Sequence, residues 1–194
     1  MATRDAEATK ARIFEAATEE FAAHGIAGAR VDRIAQNAKA NKQLIYAYFG
    51  DKQKLFYKVL DKKLVEVAES VSTDITDLDK WVDEHFDYHR DHPELLRLLM
   101  WEALEVPKDQ ACRSEARAER YAVKKEKIAD AQKQGVIRPD MPPPYVLTLF
   151  MGMINYPAAL PQVQDLIFGA DYDADTLREW TKQAVKRIAA RAED

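Results

Sequence analysis

Two short helical patterns separated by three residues constrain this chain more than any other feature. Apolar residues recur at helical spacing in the first pattern, at Val31, Ile34, Ala35 and Ala38. They recur in the second pattern at Leu44, Ile45, Tyr48 and Phe49. Between the patterns lie only Lys39, Ala40 and Asn41, and Asn41 is placed to cap the second helix. So short a connection predicts a helix-turn-helix.

The segments on either side of this motif also have helical patterns. A helix is predicted over 6–24 and is ended by Gly25, while Gly50 ends the motif and Asp51 caps a long helix through Val71. Further helices are predicted near 77–91, 93–105, 109–134, 143–157, 161–168 and 174–192. The sequence therefore predicts an all-α protein, with an N-terminal three-helix domain containing the helix-turn-helix and a larger C-terminal helical domain.

The charge of the chain is distributed unevenly. Residues 26–63 contain nine Lys or Arg and three Asp, a net charge of +6, although the whole chain has a formal net charge of −4. A basic segment within an acidic protein indicates a polyanionic partner for that segment. We therefore expect the helix-turn-helix to bind nucleic acid.

Several classes of protein lack support in this sequence. The longest apolar-rich stretch, 145–160, is too short and too interrupted to span a bilayer, and the N-terminus has no apolar signal region. The single cysteine, Cys112, cannot form an internal disulfide, so we expect a cytoplasmic protein. No glycine-rich phosphate loop or nucleophile elbow is present, so neither an enzyme nor a bound cofactor is expected.

Residues 11–60, "ARIFEAATEEFAAHGIAGARVDRIAQNAKANKQLIYAYFGDKQKLFYKVL", resemble the N-terminal DNA-binding domain of TetR-type bacterial transcriptional regulators. The resemblance implies phosphate contacts by Tyr46, Tyr48 and Lys52. It implies a recognition-helix face toward the bases made of Lys42, Gln43, Leu44 and Ala47. It also implies that Arg30 and Val31 begin the first helix of the motif, which approaches the DNA backbone.

Two positions depart from the family pattern. Lys39 stands where the family usually has glycine, so either the lysine adopts a left-handed backbone or the turn differs. Gln43 and Leu44 stand where a Gly-Thr pair is common. Gln43 could pair with adenine through its amide, or it could simply be solvated.

The resemblance also implies a division of labour along the chain. Residues 1–52 would bind double-stranded operator DNA, and residues 53–194 would bind a small-molecule effector and form a homodimer through the C-terminal helices. A palindromic operator bound by a dimer would be released by the effector, which is the usual sense of repression in the family. The apolar faces of residues 148–160 and 178–190 are candidates for the dimer surface.

Large or polar side chains on apolar helix faces are candidates for an effector pocket, although ordinary core packing explains each of them as well. These candidates are Trp81, His85, Tyr88, Trp101, Tyr121, Phe150, Met151, Asn155 and Tyr156. Among them Asn155 is favoured, because an amide in so apolar a segment must be hydrogen-bonded to a neighbour or to a ligand.

Two alternatives remain open at this point. His85, His89 and His92 recur on one helix face, where two imidazoles one turn apart can share a metal ion, so a metal-responsive regulator is one of them. The other is a DNA-binding protein that has no effector at all.

Overall fold

The computed structural model describes residues 2–108, 110 and 115–191, so Cys112 lies outside the described residues. Within these ranges the chain is helical and contains no strand. The helices are α1 (Ala2–Gly28), α2 (Val31–Asn37), α3 (Lys42–Phe49), α4 (Lys52–Ser70), α5 (Leu78–Asp91), α6 (Glu94–Glu105), α7 (Glu115–Lys133), α8 (Pro143–Ala159), α9 (Pro161–Phe168) and α10 (Ala174–Ala189). The predicted all-α fold is confirmed.

The chain divides into two compact units. The first consists of Met1–Val65 together with Glu94–Arg113, and the second of Glu66–Pro93 together with Ser114–Asp194. The first unit therefore extends past residue 52, where the sequence predicted a boundary, because α4 continues without a break from Lys52 to Ser70. It also takes in α6, which packs along α1.

Glycine is required at one point in α1. Gly25 has a φ of +67°, a left-handed conformation that interrupts the helix. A Cβ atom at this position would lie 2.5 Å from Oε1 of Glu105 and 2.7 Å from Cε3 of Trp101. The Glu105 carboxylate accepts hydrogen bonds from the backbone N–H groups of Ile26 at 2.6 Å and Ala27 at 2.9 Å. The end of α6 thus caps the last turn of α1.

The helix-turn-helix has the predicted caps. The Asn41 side chain accepts a hydrogen bond from the Gln43 N–H at 2.8 Å, as expected for an N-cap. Lys39 in the turn has a φ of 49°, so it takes the left-handed conformation that the sequence left open. Gly50 ends α3 with a φ of 86°, and the Asp51 carboxylate accepts from the Lys54 N–H at 2.8 Å.

The second unit is built around one apolar cluster from α5, α7, α8 and α10. Its members are Ile75, Leu78, Trp81, Val82, Ile128, Ala131, Ile137, Val146, Leu147, Phe150, Ile154, Val185 and Ala189. Trp81 and Phe150 have ring centroids 5.9 Å apart at the centre of this cluster. Outside it, Arg178 and Lys182 of α10 form ion pairs with carboxylates of α5.

Within the described residues, no single helix has both the length and the apolar composition needed to cross a bilayer. Pro143–Ala159 and Pro161–Asp171 reach those limits only as a pair, with a bend of 82° between them.

Candidate functional site

The recognition helix α3 presents one exposed face in the first unit. Its side chains Lys42, Gln43, Leu44, Tyr46 and Ala47 are exposed. The opposite face, Ile45 and Phe49, is buried against the unit. The structure therefore brings together on one surface the residues that the sequence assigned to base reading, with Tyr46 beside them.

The aromatic end of α3 serves both the core and the surface. Phe49 packs edge-on against Phe14 of α1, with ring centroids 5.1 Å apart. Tyr48 is half-buried and packs edge-on against Phe49, and the Lys10 ammonium lies 5.3 Å from the Tyr48 ring centroid. A phenol placed in this way buries its ring and keeps its hydroxyl near solvent.

Lys42 already has an acidic neighbour at the surface. Its ammonium group lies 2.7 Å from a carboxylate oxygen of Asp32 in α2, and this hydrogen bond raises the pKa of Lys42. Both side chains are exposed, so the ion pair contributes little to stability. The Asp32 carboxylate therefore competes only weakly with any other acceptor for the Lys42 ammonium group.

The two residues at the start of the motif differ in accessibility. Arg30 is exposed, whereas Val31 is only 7% exposed and belongs to the core of the unit. The Val31 side chain thus packs inward, so at position 31 only the backbone could approach DNA. The Arg30 side chain remains exposed. The backbone N–H of Arg30 donates to the Glu20 carboxylate at 2.7 Å.

Glu20 is a positioning residue that sequence reasoning missed. Its buried carboxylate accepts from the Arg30 N–H and, at 2.6 Å, from Nη2 of Arg33. Burial alone would raise the pKa of Glu20, but these hydrogen bonds outweigh that effect and lower it. No local motif marks this role, because the partners lie ten and thirteen residues further along the chain.

Lys52, expected to contact phosphate, is engaged within the unit. Its ammonium group donates to the carbonyl oxygens of Ala27 at 3.2 Å and Ala29 at 3.1 Å. The Ala27 carbonyl belongs to the last turn of α1, and the Ala29 carbonyl to the turn between α1 and α2. Lys52 therefore fixes the end of α1 and this turn and, since an ammonium group has three N–H donors, keeps one donor for another acceptor.

A cavity of about 90 Å³ lies within the second unit. Among the predicted pocket residues, Trp81 and His85 line it. The remaining wall comes from the end of α4 and the loop after it, from α7, and from Leu147 of α8. Its members are Val67, Ala68, Val71, Ser72, Thr73, Ile75, Arg120, Val123, Lys124, Lys127, Ile128 and Leu147.

The other predicted pocket residues lie elsewhere. Trp101 belongs to the first unit, where its indole N–H donates to the Ala22 carbonyl at 3.2 Å. Phe150 is fully buried against Trp81, and Tyr88 is buried beside His92, with ring centroids 4.6 Å apart. Three more lie away from the cavity wall: Met151 is half-buried, and Tyr121 and Tyr156 are exposed.

Asn155 is hydrogen-bonded to a neighbour. Its Oδ1 lies 3.0 Å from Nε2 of His89, which must carry the proton because a carbonyl oxygen only accepts. Of the two partners that the sequence analysis left open for this amide, a neighbour and a ligand, the structure therefore provides the neighbour.

His85 and His89 of α5 and His92, which follows the helix, make separate contacts, His92 with the Tyr88 ring. Nδ1 of His85 donates to the Trp81 carbonyl at 2.8 Å, and burial lowers the pKa of His85 to about 4. His89 pairs with Asn155, and burial lowers its pKa as well. In the described part of the chain, no three His, Cys, Asp or Glu side chains are grouped as metal ligands would be. The geometry does not support the metal-responsive alternative.

The cationic residues of the cavity wall were also missed. Arg120, Lys124 and Lys127 recur at spacings of four and three, which places them on one face of α7 together with Ile128. The predicted pocket residues were large or polar side chains on apolar helix faces, and no Lys or Arg was among them. The helical spacing of the three cationic residues from Ile128, an apolar residue that is buried, could have identified them as residues on the inward face of α7.

An exposed apolar surface covers parts of α8, α9 and α10 in the second unit. Leu166 is 86% exposed, Ile167 61% and Trp180 58%. Ile167 and Trp180 also line a shallow groove with Met153, Phe168 and Leu177. Gln164 lines the same groove; it is only 4% exposed, and its amide nitrogen makes no hydrogen bond within the described residues.

Comparison with known proteins agrees with both halves of this description. Residues 13–59 match the family of bacterial regulatory proteins of the tetR type, and residues 77–187 match the tetracyclin repressor-like C-terminal domain. The HTH-type transcriptional repressor SCO4008 of Streptomyces coelicolor is 50% identical over 192 residues, which cover 98% of this chain and 100% of that protein.

Two further relatives have lower identity. The HTH-type transcriptional repressor NicS of Pseudomonas putida is 30% identical over 149 residues, 71% of this chain and 70% of that protein. The crystal structure of the transcriptional regulator SCO4942 from Streptomyces coelicolor superimposes with a TM-score of 0.80 at 34% identity, covering 93% of this chain and 97% of that one. The chain therefore belongs to the TetR family of bacterial transcriptional regulators.

Proposed function

We propose that this regulator is a repressor that binds a two-fold symmetric operator as a homodimer and leaves it when a small molecule occupies the second unit. The observation that carries the proposal is the exposed face of α3, with Gln43, Leu44 and Ala47 outward and Ile45 and Phe49 inward. A helix presented in this way fits the major groove of DNA. The names of the relatives as repressors support the direction of regulation.

Phosphate contacts would surround this face. Tyr46, Tyr48 and Arg30 carry donors at or near the surface, and the N-terminus of α4 adds backbone N–H groups with a positive dipole end. We assign Lys52 first to the turn that it holds and second, through its remaining donor, to a phosphate. The net charge of +6 over residues 26–63 supports such a set of contacts.

A homodimer would present two recognition helices to the two halves of the operator. The exposed apolar surface of α8, α9 and α10 is the candidate interface, because the exposed Ile167 and Trp180 side chains line one groove there and Leu166 of α9 is exposed as well. The buried Gln164 amide supports this choice, since a second copy could supply the acceptor that its nitrogen lacks.

Helix α4 is the candidate for transmitting the signal. Its first residue is Lys52, which holds the turn between α1 and α2, and its last turns contain Val67 and Ala68, which line the cavity. A ligand that favours one position of this helix over another would shift the protein between DNA-binding and DNA-free states by no more than its difference in affinity. The protein would act as a regulator without catalysis, in the cytoplasm with its DNA.

The first experiment is selection of bound fragments from random duplex DNA by the purified protein, followed by titration of the winner at several salt concentrations. We expect a palindrome and a steep fall in affinity with salt, since each phosphate that the protein neutralises steepens the logarithmic salt dependence by about 0.9. A double variant, Gln43→Ala with Leu44→Ala, should lose the palindrome preference. The exposed Gln53→Ala variant on α4 serves as the control and should keep it.

The dimer is tested separately by sedimentation. Trp180→Asp places a charge in the exposed apolar surface and should convert a dimer to a monomer that binds single half-sites weakly. Lys133→Asp on α7 introduces the same side chain at a position exposed to solvent and should leave the dimer intact. A wild-type monomer that nevertheless selects a palindrome would contradict the proposed interface.

A further inference from the structure

The cavity of the second unit has two chemically different sides. One side is largely apolar and comes from the end of α4, the following loop, α5 and α8. Its apolar members are Val67, Ala68, Val71, Ile75, Trp81 and Leu147, and its polar members are Ser72, Thr73 and His85. The other side is α7, which contributes Arg120, Lys124 and Lys127 beside Val123 and Ile128. A ligand that fits both sides must be apolar over most of its surface and polar at one end.

The sign of the charge on the α7 side is uniform. Among the described residues that line the cavity, three are Lys or Arg and none is Asp or Glu. Among the described residues no carboxylate forms an ion pair with the Lys124 ammonium group. The charge of Lys124 is therefore not neutralised by a carboxylate of the described residues.

Among these cations, Lys124 has a lowered pKa. Burial and the neighbouring Arg120 charge both lower the pKa of Lys124, which means that its charged form is disfavoured where it lies. An ammonium group that is desolvated next to a like charge is stabilised by an anion brought close to it. The exposed neighbour Lys125 lies on the same helix but does not line the cavity.

His85 contributes no further positive charge at neutral pH. Its pKa is lowered to about 4, and its Nδ1–H is used by the Trp81 carbonyl at 2.8 Å. The imidazole therefore presents only its neutral ring and its Nε2 acceptor. The cationic side chains that could bind an anion therefore all lie on α7. The side of the cavity that contains Trp81 can contact the hydrocarbon part of a ligand.

We propose that the cavity selects an organic monocarboxylate, with its carboxylate at Lys124 and Arg120 and its hydrocarbon part against Trp81, Val71 and Ile75. This inference rests on the proposed function of a ligand-released repressor and specifies the chemical class of its effector. A carboxylate forms charge-assisted hydrogen bonds with both kinds of cation, and the flat Trp81 ring accepts either an alkyl chain or an aromatic ring.

The size of the cavity adds a mechanical consequence. Its volume of about 90 Å³ is below the roughly 300–1,000 Å³ of typical ligand pockets. A carboxylate with more than a few carbon atoms must therefore enlarge the cavity by displacing part of its wall. The end of α4, with Val67 and Ala68, is the part of that wall which belongs to the helix proposed to carry the signal.

The test is calorimetric titration of the full-length protein with a matched series: straight-chain carboxylates from butanoate to decanoate, and the alcohol and the amine of each length. We expect the carboxylates to bind, the alcohols to bind about tenfold or more weakly, and the amines not to bind. Lys124→Met keeps the aliphatic stem and removes the charge, and it should weaken carboxylate binding about tenfold while alcohol binding is retained. Lys125→Met is the matched control and should bind as the wild type does.

The outcomes separate this inference from the proposed function. Operator selection and salt dependence are measured without ligand, so a protein that selects its palindrome but binds no carboxylate of the series overturns the ligand class alone. Equal or tighter binding of the amines, or full carboxylate affinity in Lys124→Met, overturns it as well. Carboxylate binding that is weakened about tenfold in Lys124→Met but unchanged in Lys125→Met supports it, whether or not the protein recognises an operator. Thermal melting of both variants shows that they are folded.

Discussion

The two units of this protein fix their polar groups in different ways. In the first unit, charged side chains hold the turns: Glu20 binds Arg30 and Arg33, Lys52 binds two carbonyls, and Glu105 caps the end of α1. In the second unit, buried polar atoms such as Nδ1 of His89 and the Gln164 amide nitrogen make no hydrogen bond to described residues. No such atom occurs among the described residues of the first unit.

This difference corresponds to the two tasks proposed for the units. Reading base edges requires that a helix be held within a fraction of an ångström, and hydrogen bonds to loop backbone give that precision. Binding a small molecule requires a wall that can move and polar groups that a ligand or a second subunit can still satisfy. The first unit is therefore expected to be sensitive to single substitutions that disturb its hydrogen bonds and packing. The second unit is expected to be sensitive to pH.

The largest expected effect is in the first unit, for Gly25→Ala. A methyl group at this left-handed position would overlap Glu105 and Trp101, so we expect a loss of about 3 kcal/mol in the free energy of unfolding. Urea denaturation measures it. Gly28→Ala is the control, because its Cβ would meet only the His24 Cβ at 3.4 Å, and it should change stability by a few tenths of a kcal/mol at most. Equal stability of the two variants would show that the α1 break is not rigidly held.

Glu20→Gln tests the second clamp. The Gln amide has the size of the Glu20 carboxylate but carries no charge and has one acceptor oxygen instead of two. It therefore cannot accept all the hydrogen bonds that Arg33 and the Arg30 N–H donate to Glu20. We expect a loss of about 2 kcal/mol, less than for a fully buried pair because Arg33 is partly exposed. Operator affinity should fall in parallel. Glu19→Gln, at the exposed neighbouring position, should affect neither quantity.

The second unit should respond to pH through His85. The unfolded chain binds a proton near the ordinary pKa of 6.5, but the folded protein binds it only near pH 4. Between these values the unfolded state holds more protons, so the free energy of unfolding decreases as the pH is lowered, by about 2 kcal/mol at pH 5. His85→Phe removes this titration. The free energy of unfolding is measured by urea denaturation at pH 7 and at pH 5. Between these two pH values it should decrease by about 2 kcal/mol less in His85→Phe than in the wild type. Equal decreases in the two proteins would exclude His85 as the source.

The smallest effect is expected for Asn41→Ala. Loss of the N-cap hydrogen bond to the Gln43 N–H should cost about 1 kcal/mol of stability and should weaken operator binding, because α3 loses its fixed start. Asn37→Ala, at an exposed position at the end of α2, is the matched control. Stability is read by thermal melting and affinity by titration with operator DNA. If Asn41→Ala bound DNA as tightly as the control, the cap would be irrelevant to recognition.

Local chemistry made the first unit predictable from sequence. The cap at Asn41 and the stops at Gly25 and Gly50 each depend on a few adjacent residues, whereas the sequence left the conformation of Lys39 open. The roles of Glu20 and Lys52 depend on partners ten or more residues away, so spacing alone could not assign them. The exposed face of α3 was therefore predicted from local sequence, whereas the clamps that position this helix were not.

The cavity was harder to predict because four separate segments build its wall. Trp81 and His85 were chosen for their residue types and do line it. Trp101 was chosen for the same reason, but α6 packs on α1 and carries this residue into the first unit. Residue type identifies groups that need a partner, but only the packing of distant helices decides which partner each group finds.

The discontinuity of the first unit has a consequence for biosynthesis and for fragment design. Arg97, Trp101 and Glu105 bind the carbonyl of Ala22 and the N–H groups of Ile26 and Ala27, so the last turn of α1 has no cap until α6 has been translated. A nascent chain released after α4 would expose the surface that α6 covers and would be open to proteolysis and aggregation. A DNA-binding fragment that folds as it does in the whole protein must therefore extend through Glu105, and on the ribosome the operator-reading surface matures only after half of the polypeptide has emerged.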